Sequence, residues 1–190
     1  MLKKMLGVAA VLALGAALPA NAATVAVSPD QSWHAFDVSD VLSADMGLNW
    51  FDIGSATGEA LSFTINVAAG QAVQLTVVDA GYAGDRFEVF DNGNSIGLTS
   101  LVPEDGAGLN ANLSFDFALS NASFSRGYFI LGEGLHTITG SLFQSSLDSP
   151  NNTVGGLSVA AVPLPASLLL LFSGGGFMSL FARRRKTAAA

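Results

Sequence analysis

Residues 61–67, LSFTINV, alternate strictly between apolar and polar side chains. That period of two sets Leu61, Phe63, Ile65 and Val67 on one side of a strand and Ser62, Thr64 and Asn66 on the other. A chain carrying such a segment must supply a sheet with one dry face. Ala68-Ala69-Gly70-Gln71 then reads as a turn, and Val73, Leu75 and Val77 resume the apolar period in AVQLTVVD. The two runs are predicted to pair as an antiparallel hairpin with a loop near four residues.

The same grammar continues along the chain. SWHAFDV (32–38), NWFDI (49–53), RFEVFD (86–91), SIGLTS (95–100), LSFDFALS (113–120), YFILGEG (128–134) and LHTITGSLF (135–143) read as further strands, separated by Gly, Asn, Asp and Ser turns. Asn92-Gly93 is the sharpest of these turns, because both residues tolerate positive φ. About nine short strands without a helical period or crossover helices predict an all-β antiparallel β-sandwich, jelly-roll-like, with an immunoglobulin-like sandwich as the near rival. The domain is expected to span 23–147. Residues 148–161, DSPNNTVGGLSVAA, read as a flexible linker because turn-forming and small residues dominate them.

Both ends carry apolar blocks of another kind. Residues 1–22 combine Lys3 and Lys4, an apolar run from Leu6 to Leu18, and the small residues Ala20 and Ala22. These are the three parts of a signal peptide helix, with cleavage expected after Ala22. Leu164 to Ala182 is a stretch without charge, about 28 Å long as a helix and hence a transmembrane helix by length. Arg183, Arg184, Arg185 and Lys186 follow it and should stay on the cytoplasmic side.

Between those blocks lie all 15 acidic residues and only two cations, Arg86 and Arg126, a formal charge of −13. Such a surface repels nucleic acid, and no nucleic-acid partner is expected. The chain has no cysteine, so disulfides and thiolate chemistry are excluded. Asp79, Asp85, Glu88 and Asp91 are candidate oxygen ligands for calcium, although their spacing is not that of an EF-hand and no other cofactor is expected. Trp33, Trp50, Tyr82 and Tyr128 are candidate glycan contacts through their flat apolar faces, against the simpler reading of core packing. Arg86 and Arg126 are candidate structural ion pairs with the surrounding acids. His34 and His136 lack the nucleophile-elbow context that a serine hydrolase requires, and no catalytic residue stands out.

Val162-Pro163-Leu164-Pro165, the hydrophobic stretch to Ala182 and the terminal Arg183–Lys186 cluster together resemble the bacterial PEP-CTERM sorting signal (162–186). The usual motif has Glu where this chain has Leu164. GDRFEVFDNG, FSRGYFILGEGLHTITG and WHAFDV also resemble a group of ectodomains in that family. The resemblance implies processing by signal peptidase and by an exosortase-type membrane protease. It further implies transient anchoring in the inner membrane of an exopolysaccharide-producing Gram-negative bacterium, followed by residence at the cell surface, outer envelope or extracellular matrix. The expected function is therefore a non-enzymatic exported protein that contacts exopolysaccharide. The alternatives are a small secreted glycoside hydrolase using a carboxylate pair and a self-associating structural module.

Overall fold

A computed structural model of the chain describes residues 23–38, 48–53, 59–148 and 153–163. The expected signal peptide at 1–22, the transmembrane stretch, and Leu164, Pro165 and Arg183–Lys186 of the sorting signal lie outside those residues. Among the described residues, no helix is long and apolar enough to cross a membrane.

Nine strands and one short helix are present among the described residues: β1 (Ala23–Val27), β2 (Asp30–Val38), β3 (Leu61–Val67), β4 (Val73–Asp79), β5 (Arg86–Asp91), β6 (Asn94–Leu98), α1 (Phe115–Ser120), β7 (Arg126–Leu131), β8 (Gly134–Gln144) and β9 (Thr153–Ala161). They form two sheets, ordered β1-β3-β8-β5-β6 and β2-β9-β4-β7. From β2 onward every neighbouring pair is antiparallel, and the strand order is that of a jelly roll. The departure is β1, which adds to β3 in parallel register and makes the first sheet mixed.

Alternation placed the strand faces correctly. Leu61, Phe63, Ile65 and Val67 of β3 and Val73, Leu75 and Val77 of β4 all point into the space between the sheets. The predicted β3–β4 hairpin does not form. The two strands lie in opposite sheets, so Ala68–Ala72 is an arch across the core rather than a turn within one sheet. Apolar period two fits both geometries, because each strand still buries the same side chains. The link from β7 to β8 crosses between sheets in the same way, whereas Asn92-Gly93 closes a true β5–β6 hairpin.

Two further expectations are overturned. LSFDFALS is not a strand: residues 115–120 form α1, and Phe115, Ala118 and Leu119 face a second apolar cluster with Val78, Ala80, Ala83, Ala111 and Phe124. Their i, i+3, i+4 spacing is a helical stripe concealed inside the alternation of Leu113, Phe115 and Phe117. This cluster covers the outer face of β4, which is why Val78 is as buried as Val77.

The second correction concerns residues 148–161. Residues 153–161 are not a linker but the inner strand β9, paired with β2 on one side and β4 on the other. The folded domain therefore extends at least to Ala161. Gly155 and Gly156 reflect contact rather than flexibility. A Cβ on Gly155 would sit 2.3 Å from the Phe36 ring inside the sandwich, and one on Gly156 would sit 2.4 Å from the Phe115 ring outside it. Aromatic rings press on both faces of the strand, and only glycine leaves room for them.

Candidate functional site

On the side where β6 and β7 form the free edges of the two sheets, an open groove of about 350 Å³ is lined by Asp91, Ile96, Tyr128, Phe129, Ile130, Leu131, Gly132 and His136. Period two along β7 builds its wall. Leu131 turns into the core, while Tyr128 and Ile130 turn to solvent, 54% and 64% exposed. The floor comes from the other sheet. Asp91 ends β5 and pairs with Ile138 of β8, placing it beside His136 two residues earlier.

His136 Nδ1 lies 2.7 Å from Asp91 Oδ2, and Nε2 lies 3.0 Å from the Gly132 carbonyl oxygen. Both neighbours are acceptors, so both contacts are complete only when the ring carries two protons and a positive charge. Partial burial opposes that charge, but the Asp91 carboxylate and the Gly132 carbonyl outweigh it and raise the His136 pKa above its usual value. The histidine is an ion-pair partner with both nitrogens engaged, which leaves no nitrogen free to act as a general base. The second carboxylate oxygen, Asp91 Oδ1, is buried and has no hydrogen-bond partner.

A raised histidine pKa fixes the sign of a pH effect. The stabilisation from this pair is complete below the unfolded value near 6.5 and is lost as pH rises through the higher folded value. Wild type minus Asp91→Asn, compared by urea unfolding across that interval, should therefore show a difference that shrinks toward alkaline pH. A constant difference would mean that the ring is neutral throughout.

A smaller open groove of about 290 Å³ lies at one end of β4, lined by Ala80, Gly81, Tyr82, Asn110, Asn112, Leu113 and Val154. Asn112 and Leu113 there adopt positive φ of 49° and 61°, a costly conformation for leucine.

The candidates from sequence are sorted by this geometry. Tyr128 and Tyr82 each line a groove. Trp50 does not belong with them: it is 1% exposed, at the centre of the core. Trp33 is half-buried, stacked on Phe115 at 5.2 Å, and its Nε1–H donates to Asp116 Oδ1 at 3.1 Å. The four proposed calcium ligands do not converge. Glu88 Oε1 accepts from the Ser95 hydroxyl at 2.6 Å, and Asp91 faces His136, while Asp79 and Asp85 are buried together elsewhere. No group of three His, Asp or Glu side chains able to hold a metal is present among the described residues.

Among the described residues, the side-chain hydrogen bonds of both arginines go to carbonyl oxygens. Arg86 donates to the Thr99 and Ser100 carbonyl oxygens at 3.3 and 3.1 Å and lies over the Phe143 ring. Arg126 donates to the Leu119 carbonyl oxygen at the end of α1. Both cations thus fasten the long excursion between β6 and β7 to the sandwich, a role that charge counting alone could not separate from ion pairing. The His136–Asp91 pair was the feature that sequence reasoning missed. Its only signal was an acid and a histidine 45 residues apart, and strand register alone brings them together.

No protein-family model matches the chain, and no curated protein matches it. Among solved structures, similarity is found to the pre-peptidase C-terminal domain of collagenase from Bacillus anthracis, at 10% identity and TM-score 0.39 over 76% of this chain and 99% of that one. An insecticidal delta-endotoxin from Bacillus thuringiensis aligns at 13% identity and TM-score 0.38, over 74% of this chain and 26% of that one. A periplasmic inhibitor of g-type lysozyme from Aeromonas hydrophila aligns at 17% identity and TM-score 0.33, over 74% of this chain and 96% of that one.

Proposed function

We propose that the chain is a non-enzymatic, exported protein of the cell surface or extracellular matrix that contacts exopolysaccharide through the groove beside Tyr128. Residues 1–22 direct export. The segment 162–186 then holds the chain in the inner membrane until an exosortase-type protease trims it near Pro165. These end signals support the location, and the groove supports the ligand class.

One observation carries the binding reading. Tyr128 is largely exposed in the groove that also carries the Asp91–His136 pair. A sugar ring suits that arrangement: it offers an apolar face to stack on tyrosine and hydroxyls for the polar groups beside it. The groove is open and shallow, which suits a polymer passing across it.

The test uses exopolysaccharide extracted from the producing cells, with retention measured for wild type and Tyr128→Ala. Loss of a central aromatic contact should weaken retention about tenfold or more. Thermal stability should hardly change, because the ring is largely outside the core. The intact mass of protein recovered from the envelope should correspond to a chain beginning at Ala23 and ending near Pro165. Equal retention of the two proteins would remove the binding claim. A full-length mass, with both ends present, would remove the sorting claim.

A further inference from the structure

Where the end of β4, the start of β9 and the chain entering β5 meet, three buried oxygens lack hydrogen-bond partners: Asp79 Oδ2, Asp85 Oδ2 and Thr153 Oγ1. Asp79 and Thr153 are fully inaccessible and Asp85 is 1% exposed. The two carboxyl groups act on each other through space, and the Thr153 hydroxyl sits against Asp85 without completing a hydrogen bond. The backbone holds them there. Asp79 pairs with Gly155 across β4 and β9, and the Ala80 N–H donates to the Val154 carbonyl oxygen at 2.9 Å.

Each acid has one oxygen anchored and one left over. Asp79 Oδ1 accepts from the Gly81 N–H at 3.2 Å, and Asp85 Oδ1 accepts from the Ser146 N–H at 2.6 Å. The nearest cation along the chain, Arg86, turns away to the Thr99 and Ser100 carbonyl oxygens. Two buried carboxylates without a counter-charge are strongly unfavourable when ionised.

We propose that Asp79, Asp85 and Thr153 form a calcium site that fastens β4, β5 and β9 at this end of the sandwich. An all-oxygen donor set selects a hard cation, and calcium accepts the irregular geometry that a strand end and a loop provide. Calcium takes six to eight oxygen ligands, so the remaining positions fall to loop carbonyls and water. Only two of the donors are charged. The affinity should therefore lie near the about 10⁻⁴–10⁻³ M range of extracellular calcium modules.

The test uses the full chain in mild detergent, stripped with EDTA and melted at about pH 7.5 with and without about 10 mM calcium chloride. Wild type should gain about 5–10 °C from calcium. Asp79→Asn combined with Asp85→Asn should abolish the calcium response. Thr153→Val, titrated by calorimetry, should weaken calcium binding about tenfold, which decides the matter if the double variant does not fold. An unchanged wild-type midpoint overturns the site. A calcium response retained in the double variant, or unchanged affinity in Thr153→Val, overturns it as well.

Discussion

A chain ending at Asp148 will not fold, whereas one ending at Pro163 will show a cooperative urea transition. The first keeps every residue of the domain as its sequence suggested, 23–147, and loses β9. That strand is internal, with Val38↔Thr153 through Asp30↔Ala160 on one side and Val73↔Ala161 through Asp79↔Gly155 on the other. Without it, β2 has no neighbour in its sheet and β4 keeps only β7. Two core side chains, Leu157 and Val159, both fully buried, leave as well. Those two alone contribute about 1.5–3 kcal/mol each. The exposed ladder groups of β2 and β4 add a comparable loss, and a domain of this size has only about 5–15 kcal/mol in total. Far-ultraviolet circular dichroism and urea titration of the two chains check the expectation. A cooperative transition of the shorter chain at the longer chain's midpoint would show that β9 is dispensable.

The misreading of that segment has a physical cause. Glycine and serine are the residues of flexible tethers, and VGGLS looks like one. The same residues are required when aromatic rings lie against both faces of a strand, as Phe36 and Phe115 lie against Gly155 and Gly156. Composition reports the absence of side chains and not the reason for it. Strand faces were legible because period two survives any pairing: Phe63, Ile65, Leu75 and Val77 are buried as their alternation required. Partner choice was not legible, since the β3–β4 hairpin and the observed arch bury the same residues. The helix α1 escaped because Phe115 and Phe117 satisfy period two while Phe115, Ala118 and Leu119 satisfy the helical period. Packing against Val78 and Phe124 decides between them.

The candidate site was legible only in part, for the same reason. Tyr128 could be named as an aromatic, but its exposure follows from β7 lying at a sheet edge. Nothing local in the sequence distinguishes it from Trp50, an aromatic in an equally irregular context. Likewise Asp79, Asp85, Glu88 and Asp91 are close in sequence, yet β5 carries Glu88 and Asp91 along the sheet and away from the buried pair. Thr153, which joins that pair, comes from the far end of the domain.

Replacing Trp50 with alanine should cost about 3–5 kcal/mol, as expected for deleting a large aromatic from a packed core, and lower the melting temperature by about 10–20 °C. The ring stacks on Phe36 at 3.9 Å between centroids with planes 14° apart, and meets Phe87 and Phe63 edge-on at 6.1 and 6.4 Å. It lies flat on β8, where a Cβ at Gly140 would fall 2.1 Å from it. Its own backbone joins the Gly140 and Leu61 strands, donating to the Gly140 carbonyl oxygen at 3.0 Å and accepting from the Leu61 N–H at 2.9 Å. The cavity left by alanine is bounded by strands that those bonds hold in place, so collapse into it is limited. Trp50→Phe should be much milder than alanine, since it keeps part of the ring contact and removes an indole N–H that is buried without a partner. Trp33→Ala should cost less than Trp50→Ala, because the Trp33 ring is half-buried outside the main core. Urea unfolding of the three variants orders them, and a Trp33→Ala loss equal to or larger than that of Trp50→Ala would place the centre of the core elsewhere. Gly140→Ala probes the same contact from the opposite side and should also destabilise, by about 1–3 kcal/mol of overpacking.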